Sequence, residues 1–274
     1  MGLETKDVSL FTIFILLTLT LTLNRAYAET ITVGSSPEGV AFDSHLNELL
    51  IANFGSNTLS VISDATGKII ATITVGSFPV GVAFDPHMNE IFVTNFGSGT
   101  VSIISHATDK FAEAISVGSF PAGVAFDSHL NEVFVANEDS NTVSVISDTT
   151  GKVTKTINVG STPIGVAFDS QLNETFVTNF GSNTVSVISD ATDRVAKVIT
   201  VGDKPVAVAF DSHLNQVFVA NEGSNTVYVI SDATNRITKT ITVGSAPEGV
   251  AFDSHLNHIL VTDFGSNTVS VIAV

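Results

Sequence analysis

Cysteine is absent from the chain, which removes disulfides, thiolate nucleophiles and Cys-based metal or cluster sites together. Tryptophan is absent too, and basic residues are scarce: 11 Lys+Arg stand against 27 Asp+Glu, a formal net charge of −16 over 274 residues. Such a surface repels phosphate backbones and anionic head groups, so nucleic acid is excluded as an expected partner. Charge of either sign is thin at 14%, while 44% of residues are hydrophobic, the balance of a globular chain rather than a disordered one. Three catalytic signatures are missing as well: a nucleophile elbow, a phosphate-binding glycine loop and a strand-linked GxGxxG.

Residues 1–28 stand apart from the rest. Lys6 precedes an apolar run from Val8 to Leu23, and Ala26-Tyr27-Ala28 supplies the small residues that a signal peptidase cuts behind. We read 1–28 as a secretory signal and 29–274 as the mature domain, with an uncleaved anchor as the alternative. Losing Glu4, Lys6, Asp7 and Arg25 leaves 9 basic and 25 acidic residues, so the mature charge is still −16.

What is present is a repeat. Val-Gly recurs at Val33, Val75, Val117, Val159, Val201 and Val243, a spacing of 42 residues, and each unit holds four short β-branched or aromatic runs. In the second unit these are GVAFD (81–85), EIFVTN (90–95), TVSIIS (100–105) and FAEAISV (111–117), here called strands a to d. Periods of about 40 to 45 residues with four strands each define propeller blades. The turns fit: Asn47 suits a left-handed conformation after strand a, as do Gly67, Asp109, Gly151, Asp193 and Asn235 after strand c. The sixth unit stops after strand c at Val274, while Glu29 to Val33 (ETITV) matches a strand d with nothing before it. The expectation is therefore an all-β, six-bladed β-propeller of four-stranded antiparallel blades, with the N-terminal outer strand completing the C-terminal blade.

The run FVTNFGSNTVSVI (176–188) and its variants IANFGSNTLSVI, FVANEDSNTVSVI and LVTDFGSNTVSVI resemble the YVTN-type β-propeller repeat over essentially all of 29–274. The resemblance implies a surface-layer or secreted propeller and brings no catalytic motif. Two departures are small: Phe92, Phe134, Phe176 and Phe218 replace the first Tyr, and the a–b turn is DSHLN rather than a Pro-Asp-Gly type.

Histidine recurs in the a–b turn at His45, His87, His129, His213 and His255, with Gln171 in the fourth unit. Equivalent residues about 10 Å from a six-fold axis lie about 10 Å from one another, whereas zinc needs nitrogens at about 2 Å. These are read as exposed turn histidines, and no metal site is assigned. His-x-x-Glu recurs without a helix to align it, leaving His255 with His258 as the one pair open to adventitious metal. The SDAT turns look like a shortened calcium loop but lack its alternating ligands and closing Glu. Asn173-Glu174-Thr175 is a glycosylation sequon.

Blade-specific residues gather at one end. The b–c loops carry Phe54, Phe96, Phe180 and Phe264 but Glu138 and Glu222 in units three and five. The d–a loops add Phe78 and Phe120 before the proline and Glu38 and Glu248 after it, with Lys204 alone basic. An aromatic and acidic face suits a protein, glycan or cationic ligand, and caps on the seams between blades are the competing reading. The function expected is a non-enzymatic secreted or cell-surface (extracytoplasmic) propeller, a binding or surface-layer scaffold with no cofactor, no membrane span after signal cleavage and possible self-association. The alternative is a lactonase-like hydrolase or lyase with a divalent cation at the channel mouth.

Overall fold

The computed structural model describes residues 30–43, 45–253 and 256–274. It is an all-β, six-bladed propeller of antiparallel blades occupying 37–74, 79–116, 121–158, 163–200, 205–242 and 247–273. In blade 2, strands a to d run Pro79–Asp85, Glu90–Asn95, Thr100–Ser105 and Lys110–Ser116. Blades 1, 3, 4 and 5 repeat that order, and blade 6 has strands a to c among the described residues.

The Asn that ends strand b explains the repeat motif. Asn95 Nδ2 donates to Thr100 Oγ1 at 3.1 Å and to Ser102 Oγ at 2.9 Å, so a buried amide ties strand b to strand c. Asn137 and Asn179 do the same. In blade 6 Asp263 takes that place and accepts from Ser270 at 2.7 Å.

Blades meet through apolar seams. Phe92, Val101 and Ile103 of blade 2 pack on Val133, Val135 and Ile146 of blade 3. Four further clusters fill the seams 1/2, 3/4, 4/5 and 5/6. Burial of each ring at Phe92, Phe134, Phe176 and Phe218 contributes about 1.5–3 kcal/mol. Nearer the axis strands a interlock: a Cβ on Gly123 would sit 2.2 Å from the Ile164 carbonyl oxygen, so close approach requires glycine. Inner strands of blades 1 to 5 line one channel with Gly, Ala, Val and Ile, and blade 6 adds Glu248.

The sixth seam differs. A Cβ on Gly249 would meet only Thr262 of its own blade. Val269 and Val271 are 57% and 59% exposed where their counterparts Val101 and Ile103 are 0% and 4% exposed. On blade 1, Val40 and Phe42 are likewise exposed. Here the expected closure needs correction. Blade 6 has three strands among the described residues, and Thr30–Val33 form none, while Glu29 lies outside the described residues. Ser35 and Ser36 are held by the b–c loop of blade 1, through Gly55 N to Ser35 O and Phe54 N to Ser36 O, both 2.9 Å, as Ser77 and Phe78 are by that of blade 2, so the chain departs from the repeat only ahead of them. At the packed seams a bond such as Val75 N to Asn57 O ties the exit of strand d to the loop before it. Among the described residues no such bond joins Val33 to Asn267.

Residues 1–28, read as a signal, also lie outside the described residues, and no described helix is long and apolar enough to cross a membrane.

Candidate functional site

Bonds between loops divide the propeller into two ends as the strand order requires. The b–c and d–a loops share one end, where Phe96 N donates to Phe78 O at 2.9 Å. The a–b and c–d turns share the other, where His106 N donates to Asn89 O at 3.1 Å.

At the loop end the candidate residues fall into two groups. Phe54 stacks on Phe78, with centroids 4.8 Å apart and planes at 18°, and Phe96 on Phe120 at 4.6 Å and 9°. Each stack bridges a seam, 1/2 or 2/3, and leaves Phe78 and Phe120 nearly half exposed. Glu138 adjoins the second stack through its amide to Phe120 O at 2.9 Å. Capping and display thus coexist in the same rings.

The second group surrounds the axis. Glu38, Glu222 and Glu248 line a cavity of about 770 Å³ together with Phe180 and Phe264. Burial and then the Glu248 carboxylate push the Glu38 carboxyl up, and burial and then Glu222 do so for Glu248. Three carboxylates that repel one another in one depression attract positive charge. Lys204 forms no ion pair with them among the described residues; its Nζ lies at 5.5 Å over the ring of Phe180, which shares the lining. Phe78 and Phe120 are not part of that cavity's lining, so the face is not the single ring of contacts that sequence position suggests.

At the turn end the described turn histidines do not meet one another. His87 Nδ1 pairs with Asp148 Oδ2 at 2.8 Å and His129 Nδ1 with Asp190 Oδ2 at 2.6 Å, while His213 Nδ1 bonds Asn257 Oδ1 at 2.9 Å. His45, His87, His129 and His213 are exposed, as expected, and His255, with its pairing to His258, lies outside the described residues. The histidine that sequence reasoning missed is His106. It is buried, with Nε2 2.7 Å from Asp43 Oδ2 and 3.1 Å from Glu48 Oε2. Its signal was available: His106 replaces the Asp of the SDAT turn, found as Asp64, Asp190 and Asp232 elsewhere.

Fold and loop ends together define a β-propeller built from nearly identical blades, with its variation displayed at the channel mouth. The YNCE-like beta-propeller family model matches residues 83–274, and the chain belongs to that family. Among solved structures, hydrazine synthase of Kuenenia stuttgartiensis is similar, with a TM-score of 0.64 at 15% identity over 91% of this chain and 99% of that one. At that identity the likeness is one of fold. No curated protein sequence matches the chain.

Proposed function

We propose that the chain is a non-enzymatic, extracytoplasmic binding propeller of the secreted or cell-surface kind, whose loop end takes a cationic group presented by a protein partner. The observation that carries this reading is the cavity at the axis that gathers Glu38, Glu222 and Glu248 beside Phe180 and Phe264. Carboxylates with adjacent rings suit an ammonium or guanidinium, which gains from both charge and the π-face. The signal-like segment 1–28 supports the location. The YVTN-type resemblance supports a role as a binding or surface-layer scaffold.

Titration of the full chain with a Lys-rich peptide at low salt tests the proposal. Glu38→Gln with Glu248→Gln is expected to weaken binding by about tenfold or more. Absence of binding, or binding unchanged in the double variant, overturns it. Preference for a neutral oligosaccharide over the peptide would instead assign the face to glycans.

The lactonase-like alternative draws on the same three carboxylates. It requires a divalent ion there, so hydrolysis of a simple lactone that is lost on chelation and abolished by Glu222→Gln is its own test.

A further inference from the structure

The turn end carries chemistry of its own. At each seam the Asp that closes strand a and the residue that opens strand b of one blade face the residue after strand c of the next. Most seams answer the crowding of acids internally. Between blades 1 and 2, His106 lies between Asp43 and Glu48, with its Nδ1 3.4 Å from Asp109. Between blades 3 and 4, Lys155 reaches Asp193 at 3.3 Å and offsets the charge around Glu132. Between blades 4 and 5, Lys197 does so for Glu174, which also accepts from Asn235 Nδ2 at 3.1 Å. Between blades 5 and 6 Asp211 remains, but Gln216 and Val274 stand where the other two acids would be.

The seam between blades 2 and 3 keeps its acids with neither a lysine nor a buried histidine among them, only the exposed His87 on Asp148. Asp85 and Asp148 are 0% and 4% exposed, and their oxygens lie with a His87 nitrogen within 4.8 Å of one another. Asp85 Oδ1 accepts from the amides of His87 and Met88, while its buried Oδ2, like those of Asp127, Asp169 and Asp211, has no hydrogen-bond partner; only here does a second buried carboxylate, Asp148, lie with it and a histidine nitrogen within 4.8 Å among the described residues. Burial, then Asp85 and Asp148, push Glu90 up, and no lysine offsets it as Lys155 and Lys197 offset their neighbours. The strand d position that holds those lysines is Glu113 in blade 2. Its Oε2 comes within 3.4 Å of where a Cβ on Gly151 would stand, at the same turn as Asp148.

We propose that this seam binds one divalent cation of the calcium type, held by Asp85, Glu90 and Asp148 with Glu113 at the rim. The ion does for blades 2 and 3 what His106 does for blades 1 and 2. All four donors are hard carboxylate oxygens, the set that calcium prefers. His87 keeps its bond to Asp148 Oδ2 and orients that carboxylate from outside. The ligands come from two blades, unlike those of the SDAT loop taken alone, so binding staples the seam and links calcium to stability.

The test is calorimetric titration and thermal melting of the chelator-treated full chain with calcium chloride. One ion per chain and a rise of a few degrees in Tm are expected. Glu113→Lys installs the residue that blades 3 and 4 carry there, so it is expected to fold and to lose calcium affinity by about tenfold or more. Asp148→Asn is expected to do the same, whereas Glu48→Gln, at the His106 seam, keeps the wild-type response. A wild-type Tm indifferent to calcium, or a response that survives Glu113→Lys, overturns the proposal. Zinc binding more tightly than calcium also overturns it, because His87 would then be the ligand. Glu38→Gln and Glu248→Gln act at the opposite end, so their effect on peptide binding and the calcium response fail or stand separately.

Discussion

Phe78 and Phe120 have φ of 54°, a left-handed backbone that bulky side chains seldom adopt. The same holds at the four other residues before the d–a prolines, Ser36, Thr162, Lys204 and Ala246. The conformation is imposed by the loop: Phe78 N donates to Asn57 Oδ1 at 2.9 Å, and Phe78 O accepts from Phe96 N. A ring held there offsets strain of about 1–2 kcal/mol by stacking. The two stacks are worth about 0.5–1.5 kcal/mol each beyond buried area. Phe78→Ala with Phe120→Ala is therefore expected to lower stability in urea melts by about 1–3 kcal/mol and to leave the fold intact. A loss approaching the roughly 3–5 kcal/mol of Phe92→Ala for each ring would make them core. At this scale the sequence was legible where residue type and conformation agree. Asn47, Gly67, Asp109, Gly151, Asp193 and Asn235 all have the expected positive φ. It was not legible at Phe78, where the loop, through Asn57 Oδ1 21 residues away, imposes a conformation that the residue type disfavours.

Strands were the most legible elements, because alternation and turn chemistry act over a few residues. The runs read in the second unit match the observed strands to within a residue or two at each end. The seam chemistry was hidden for the opposite reason: His87 and Asp148 are 61 residues apart and belong to different blades. Nothing in the DPHMN turn (85–89) announces that its Asp faces the SDTT turn of the next unit. Glu132 shows the consequence most clearly, its carboxyl pushed up to about 7 by burial, then by Asp193, Asp127 and Asp190. In the unfolded chain it titrates near 4.5, so the native state holds the proton longer. Its contribution to stability is thus present below about pH 4.5 and lost as pH rises through about 7. Glu48, Glu90 and Glu174 are raised too, with the same sign. Melting is expected at higher temperature at pH 5 than at pH 8, and Glu132→Gln is expected to raise the pH 8 value and reduce the difference. A variant that melts as the wild type at both values would show that Glu132 is well solvated.

For the molecule as a whole, blade number and direction followed from the 42-residue period, but the join between first and last blades did not. Strand counting treats Glu29 to Val33 as equivalent to the later strands d, since Ile31 aligns with Ile73 and Ile115. The fate of that segment depends on whether blade 6 packs on blade 1, which pattern cannot reveal. In the structure each of those blades presents half of a seam: Val40 and Phe42 on one, Leu260, Val269 and Val271 on the other. These are the residue positions that fill the packed seams, so blade 6 of one copy is complementary to blade 1 of the next. Exposed apolar sheet faces of this kind drive association. The chain is expected to self-associate with rising concentration in light scattering. Val269→Lys with Val271→Lys is expected to suppress that association without lowering Tm, since both side chains are more than half exposed. The opposite pattern, a concentration-independent monomer whose double variant loses several kcal/mol, would mean that these valines are buried and the ring closes on itself.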